Sequence, residues 1–172
     1  MIRVSRGELC HLAVEGVVRP VGADGVAVAA SGRRLEAEAG PTVTSRIEGL
    51  GELPVGGAVI TPAGNLSASF VIHVVVQSRR EPFTSTNLRR ALVNGLRRAA
   101  EWGVETLALP PIGLGPGTMD PDEAARALVD VLREHLRTGE EPRQLTIAVE
   151  TDYEEELYLR LVAATERSNG GR

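Results

Sequence analysis

The chain has 172 residues, of which 42% are hydrophobic and 24% charged, and its net charge is −4. These values exclude disordered and collagen-like proteins, and the single cysteine, Cys10, excludes an intramolecular disulfide and a multi-cysteine zinc site. No apolar run approaches the ~20 residues of a membrane span, and the N-terminus lacks the apolar core of a signal peptide. The net acidic charge and the aromatic content of 3% argue against nucleic acid as a partner. We expect a soluble, cytoplasmic α/β protein that does not associate with membranes.

Short β-rich segments alternate with longer segments of helical periodicity along the chain. We expect residues 1–167 to form a single domain and residues 168–172 to form a flexible tail. Apolar and β-branched residues predict these strands: Ile2–Val4, Ala13–Val18, Ala58–Thr61, Phe70–Val76, Thr106–Leu109 and Leu145–Val149.

Three helices are indicated by apolar stripes and capping residues. Thr86 or Ser85 caps a helix that runs to about Glu101. Asp120 is the N-cap of the next, where Pro121 takes the first helical position and Glu123 completes a capping box. A last helix begins at about Asp152. This alternation of strands and helices predicts a largely parallel sheet, with a ligand beyond the carboxyl ends of its strands.

Four segments of the chain carry motifs in a characteristic order. They are Gly7-Glu8-Leu9-Cys10, Val14–Val18, Phe70–His73 and Leu109-Pro-Pro-Ile-Gly-Leu-Gly115. Together with Leu53–Leu66, they resemble the macro domain, a family that binds ADP-ribose, over roughly residues 2–150. The resemblance implies a macro-domain-like three-layer α/β/α sandwich with a mixed, mostly parallel central sheet.

Two departures from the family pattern concern catalysis. Arg19-Pro20-Val21-Gly22 stands where the family has Asn-Ala-Ala-Asn, so Gly22 replaces the asparagine that orients the distal ribose in hydrolytic members. Gly32 replaces the aspartate of the following glycine-rich loop. The resemblance therefore implies that hydrolase chemistry is lost. We expect no catalytic residue, no metal and no cofactor.

The ligand-binding residues follow from the same resemblance. Glu8 and Leu9 stand at the positions that contact adenine, and Gly22 and the loop of Ala30, Ser31 and Gly32 flank the ligand on one side. Glycine lets backbone N–H groups approach phosphate oxygens ahead of a helix N-terminus. A second loop has this character and is expected to bind the diphosphate: Gly113, Leu114, Gly115, Pro116, Gly117 and Thr118.

Structural alternatives exist for several of these residues. Glu8 is alternatively a solvated residue at a strand end, and the glycines of the second loop alternatively serve only a tight turn. The weak alternation of Val26–Ala30 favours an added strand over a ligand loop. His73 is expected to be a hydrogen-bonded core histidine and Cys10 a small apolar core residue.

Three functional hypotheses follow. The first is a divergent macro domain that binds ADP-ribose or a related adenine nucleotide without turning it over, with an ADP-ribosylated protein as a possible partner. The second is an enzyme, either an ADP-ribose-1''-phosphate processing enzyme or a de-ADP-ribosylating hydrolase. The third is an interaction or oligomerisation module with a vestigial, filled cleft. The sequence leaves the oligomeric state open.

Overall fold

The fold is built on one sheet of six strands in the order β1-β6-β5-β2-β4-β3. The computed structural model describes residues 1–114 and 119–169, with side chains to residue 164. All neighbouring strands are parallel except β3 and β4, which are antiparallel, so the sheet is mixed and mostly parallel, as predicted. The strands are β1 (Ile2–Arg6), β2 (Gly16–Gly22), β3 (Ala58–Pro62), β4 (Phe70–Gln77), β5 (Thr106–Leu109) and β6 (Gln144–Val149).

Over the described residues, five α-helices cover the two faces of the sheet. Helices α1 and α2 pack on one face, and α3, α4 and α5 pack on the other. The predicted three-layer α/β/α sandwich is confirmed. The helices are α1 (Ala30–Ala39), α2 (Pro41–Glu48), α3 (Ser85–Glu101), α4 (Pro121–Thr138) and α5 (Asp152–Asn169), and a short 3₁₀ helix spans Leu9–His11.

Strands β2 and β4 form the buried centre of the sheet. Every residue of β2 is buried, and alternate residues face opposite helical layers. Val18 packs toward α3 and α4, whereas Val17 and Val21 pack toward α1 and α2. Arg19 shares the second face and is also buried, which places a charged side chain inside the apolar layer under α1.

The helix boundaries agree with the capping residues of the sequence, with one correction. The Oδ1 atom of Asp120 accepts a hydrogen bond from the Asp122 N–H at 3.2 Å, which confirms the predicted N-cap of α4. The N-cap of α3 is Thr84 rather than Thr86 or Ser85, because the Thr84 hydroxyl accepts from the Asn87 N–H at 3.1 Å. This bond satisfies a first-turn donor and sets the start of α3.

The strand expected over Val26–Ala30 does not form. Only Ala27 pairs, through an isolated bridge to Val21, and α1 begins at Ala30. The chain reverses in a tight turn, where Gly25 has a φ of +77°. The residues after Ala30 are mostly strong helix formers without a β-branched side chain, so the weak alternation before them does not extend into a strand.

The end of the chain continues as helix for part of the expected tail. Helix α5 includes Ser168 and Asn169, and residues 170–172 lie outside the described part of the structure. Over the residues that are described, no helix has both the length and the apolar character needed to cross a membrane.

Candidate functional site

A cavity of about 760 Å³ opens at the carboxyl ends of the parallel strands. Its walls come from the ends of β2, β4 and β6, the turn and first residues of α1, and the segment after β5. Sheets of this kind place ligands at this edge, where loops lead into helix N-termini. The position is the one that the sequence predicts.

The cavity has two ends that lie over different strands. Leu9, Ala148 and Glu150 line the end near β6, whereas Gly22 and Gln77 line the end near β2 and β4. In the sheet, β2 lies two strand spacings from β6 and β4 lies three, so Gly22 and Gln77 lie roughly 10 Å and 14 Å from the β6 end at about 4.8 Å per spacing. The cavity therefore accommodates an extended ligand rather than a compact one.

Most of the predicted ligand residues that the structure describes line this cavity, namely Leu9, Gly22, Ala30, Ser31, Gly113 and Leu114. Glu8 and Gly32 lie next to it but are not among the described lining residues. Four predicted residues of the second loop, Gly115, Pro116, Gly117 and Thr118, fall outside the described residues.

Glu8 turns toward the protein surface. Its Oε2 atom lies 3.2 Å from Nδ1 of His11, and its side chain is about half exposed. A contact between the Glu8 carboxylate and a ligand would require the side chain to leave His11. Leu9, one residue later, is buried and forms part of the cavity wall.

The N-terminus of α1 faces the cavity. Ala30 and Ser31, expected in a loop, form the first turn of this helix and line the cavity. The N-cap residue Ala29 offers no side-chain acceptor, and the first turn has no acidic residue. The N-terminus of a helix carries the positive end of the helix dipole, so this edge of the cavity suits an anionic group.

Gly32 lies behind this turn and is tightly packed. A Cβ at this position would lie 3.0 Å from the Cβ of Ala27 and 3.6 Å from Cγ of Arg19. Gly32 is buried, so a larger side chain would require the turn and α1 to move apart. A side chain at this position would therefore require Ala27 to move by a few tenths of an ångström.

An aromatic ring at the cavity comes from a segment that sequence reasoning missed. Phe83, just before α3, lines the cavity and packs against Gly113, where a Cβ would lie 2.6 Å from the ring. Gly113 also has a φ of +82°, which favours glycine. The only signal in the sequence was a lone phenylalanine after Pro82, outside the predicted helix.

Charged side chains form a further part of the lining that was not predicted. Glu150 pairs with Arg34, and the Glu154 carboxylate accepts from the Glu150 N–H at 2.8 Å. Asp24 and Arg33 also line the cavity and form no salt bridge with any described residue. No ion pair within the described residues therefore competes with a ligand for these two side chains, although the Asp24 carboxylate accepts a hydrogen bond from the Val26 N–H.

The turn that carries Asp24 is held from below by Arg19. The Arg19 guanidinium donates to the Gly25 carbonyl at 3.0 Å and pairs with Glu36 of α1. Burial lowers the pKa of Arg19 to about 10, which leaves the side chain charged at neutral pH. Arg19 thus ties the turn to α1 at the cavity edge.

Among the described residues, Glu8, Cys10 and His11 bring potential metal ligands together, with their ligand atoms within 4.8 Å of one another. Burial, and the negative charge of Glu8, raise the pKa of the Cys10 thiol. Cys10 packs with Leu35 and Ala39 of α1 in the core, as the sequence predicts. A metal ion would have to displace this proton to bind the sulfur.

Comparison with known proteins places the chain among proteins of the same architecture. The family model of the macro domain matches residues 21–128. A protein of Enterobacter sp. (strain 638), named O-acetyl-ADP-ribose deacetylase, is 33% identical over 171 residues, which cover 94% of this chain and 93% of the relative.

Solved structures share the fold at low sequence identity. The Oceanobacillus iheyensis macrodomain with ADP has a TM-score of 0.83 and 17% identity, with 96% of this chain and 91% of that chain covered. A mutant of that macrodomain with ADPR has a TM-score of 0.83 and 17% identity, with coverage of 96% and 92%. Given the family match over more than half of its length, this chain belongs to the macro domain family.

Proposed function

We propose that this protein binds ADP-ribose, or a related adenine nucleotide, in the cavity at the carboxyl ends of the strands and does not turn it over. The observation that carries the proposal is the extended, open cavity, whose lining includes the N-terminus of α1, where no side chain caps the helix. An open cavity disfavours the hypothesis of a filled, vestigial cleft. A protein modified with ADP-ribose would present the same group and is a partner of the expected chemistry.

The parts of an ADP-ribose-like ligand can be assigned in order along the cavity. The adenine base is assigned to the end near Leu9 and β6, where the resemblance expects it. The diphosphate is assigned to the part of the cavity between the first turn of α1 and the residues Gly113 and Leu114. The second sugar is then left for the end near Gly22 and Gln77, roughly 10 to 14 Å from the base end at the strand spacing of the sheet.

The absence of turnover is proposed from two positions. Gly22 and Gly32 provide no side chain where the family resemblance expects an asparagine and an aspartate. At Gly32 the packing against Ala27 also disfavours the larger residue. Binding requires neither side chain, because backbone N–H groups and a helix N-terminus bind phosphate without them.

A cavity-blocking substitution tests the site of binding. Ser31→Trp places an indole in the first turn of α1, where it would occupy the cavity, and ADP-ribose binding measured by calorimetry should be lost. Ala37→Trp, on an exposed position of the same helix, is the matched control and should retain the affinity of the unmodified protein. Equal affinity of both variants would contradict binding in this cavity.

A second function, hydrolysis, is favoured by the relative named O-acetyl-ADP-ribose deacetylase. Acetate release from O-acetyl-ADP-ribose, followed by NMR with the purified protein, distinguishes the two. Under the binding proposal, release should not exceed the rate without protein. If the protein is instead a weak hydrolase, Gly22→Asn should increase turnover once the Asp24 carboxylate has moved aside, because the asparagine restores the carboxamide that the resemblance expects, although its Cβ would lie 2.9 Å from Oδ1 of Asp24.

A further inference from the structure

The side chain of Asp24 lies over Gly22 at the end of the cavity near β2. A Cβ added to Gly22 would lie 2.9 Å from Oδ1 of Asp24, closer than a real Cβ tolerates. Gly22 does not have a positive φ, so its backbone conformation alone does not require glycine. Glycine at position 22 thus leaves the space that the Asp24 carboxylate occupies.

One hydrogen bond orients this carboxylate, and further hydrogen bonds hold the turn that carries it. Oδ1 of Asp24 accepts from the Val26 N–H at 3.1 Å, and the Gly25 N–H donates to the Gly22 carbonyl at 2.9 Å to close the turn. The Gly25 carbonyl in turn accepts from Arg19. The carboxylate is therefore presented to the cavity on a turn that is anchored to the sheet.

The chemistry of a carboxylate selects the group it would bind. An ionised carboxylate only accepts hydrogen bonds and has about four lone-pair sites, of which the Val26 N–H uses one. No described cation pairs with Asp24, and its charge repels phosphate. Hydroxyl groups, above all the adjacent pair of a ribose, are the fitting donors.

We propose that Asp24 accepts hydrogen bonds from the hydroxyl groups of the sugar that lies farthest from the base. Asp24 lines the cavity together with Gly22 and Gln77, at the opposite end from Leu9. The Asp24 carboxylate thus supplies the polar group that a side chain at position 22 would otherwise supply. This inference rests on the proposed function and makes Asp24 the residue that distinguishes ADP-ribose from ADP.

Calorimetric titrations with ADP-ribose and with ADP test the inference, because ADP lacks the second sugar. In Asp24→Ala, the affinity for ADP-ribose should fall about tenfold, the effect of losing hydrogen bonds to a charged group. The affinity for ADP should stay unchanged or rise, because the carboxylate repels the terminal phosphate. Glu52→Ala, an exposed acidic position that is not among the described lining residues, is the charge-matched control and should leave both affinities unchanged.

Asp24→Asn separates ligand recognition from the stability of the turn. The asparagine oxygen can still accept from the Val26 N–H, so the turn is retained, while the amide provides a weaker acceptor for hydroxyl groups. We expect ADP-ribose affinity between those of the unmodified protein and Asp24→Ala, with ADP affinity not reduced. An equal loss of affinity for ADP-ribose and for ADP in Asp24→Ala, or no loss of affinity for ADP-ribose, would overturn the role of Asp24. Failure of the unmodified protein to bind either ligand would instead overturn the proposed function.

Discussion

The guanidinium of Arg19 donates a hydrogen bond to Nδ1 of His73, 3.0 Å away, inside the core. The two residues are register partners on β2 and β4, and both are almost fully buried. Because arginine only donates, Nδ1 must be the acceptor, so the His73 proton resides on Nε2. Nε2 then donates to the Thr61 hydroxyl at 2.9 Å. The expected hydrogen-bonded core histidine is confirmed.

This arrangement predicts a loss of stability in mild acid. Burial, and secondarily the charge of Arg19, lower the pKa of His73 from 6.5 to about 3. Between these values the unfolded chain binds a proton that the folded protein excludes, so the free energy of unfolding is fully present above pH 6.5 and declines as the pH falls toward 3. The slope from this residue approaches about 1.4 kcal/mol per pH unit, and denaturant titrations from about pH 7 to about pH 4 measure it.

His73→Asn provides the control for this prediction. Its side-chain oxygen can accept from Arg19, but it does not titrate, so the variant should be less stable at neutral pH and show a shallower decline in acid. The same slope in both proteins would show that other groups cause the acid sensitivity.

Arg19→Met should destabilise the protein strongly. The substitution leaves the Gly25 carbonyl, His73 and Glu36 without their shared donor. Removing one partner of a buried charged network costs about 3–5 kcal/mol, whereas a half-exposed pair is worth about 0–1 kcal/mol. Arg34→Met, which breaks the more exposed pair with Glu150, is the comparison. Urea unfolding measures both, and equal losses would contradict a special role for Arg19.

Gly113→Ala should reduce both stability and ligand affinity. The added Cβ would press on the Phe83 ring and would also require a positive φ. Gly51→Ala has the same φ requirement, +70°, but no atom within 4 Å of its Cβ, so it isolates the conformational cost of about 1–3 kcal/mol. We expect Gly113→Ala to cost more than Gly51→Ala in denaturation and, unlike it, to weaken ADP-ribose binding. Equal effects would mean that the packing against Phe83 is unimportant.

Arg33→Ala should lower the affinity for ADP-ribose and make that affinity depend less on the salt concentration. Arg33 is exposed, lines the cavity beside the first turn of α1 and forms no salt bridge with a described residue. A solvent-exposed contact of about 1 kcal/mol corresponds to roughly a fivefold loss of affinity. Arg46→Ala on α2, away from the cavity, should leave affinity unchanged. Titrations at low and high salt check this, and an unchanged affinity in Arg33→Ala would show that Arg33 does not contact the ligand.

The sequence was most informative where patterns are local and strong. The apolar run Phe70–Val76 and the Asp120-Pro121 start of α4 predicted a central strand and a helix boundary, and both are found. The weak alternation of Val26–Ala30 predicted a strand. Instead, the chain makes a tight turn at Gly25, and helix α1 begins at Ala30. An alternation over five residues is too short to show whether the segment forms a strand or a turn that precedes a helix.

The position of the cavity could be predicted from the sequence, but several of its lining residues could not. The expected parallel sheet and the family resemblance predicted Leu9, Gly22, Ala30 and Ser31 as ligand residues, and all four line the cavity. Phe83 and Asp24 escaped prediction because their approach to Gly113 and Gly22 depends on tertiary packing rather than on spacing along the chain. At Gly22 and Gly32 the sequence indicates only that a polar side chain is missing. The structure shows that Asp24 lies beside Gly22 and Ala27 beside Gly32, in part of the space that such a side chain would fill.

Calorimetric titration of the purified protein with ADP-ribose, with AMP as the comparison, tests the central claim most directly. We predict saturable binding tighter than about 100 μM, which corresponds to roughly −5.5 kcal/mol, with AMP much weaker because it lacks the second phosphate and the second sugar. No heat with ADP-ribose, and no thermal shift at millimolar ligand, would contradict nucleotide binding by this cavity.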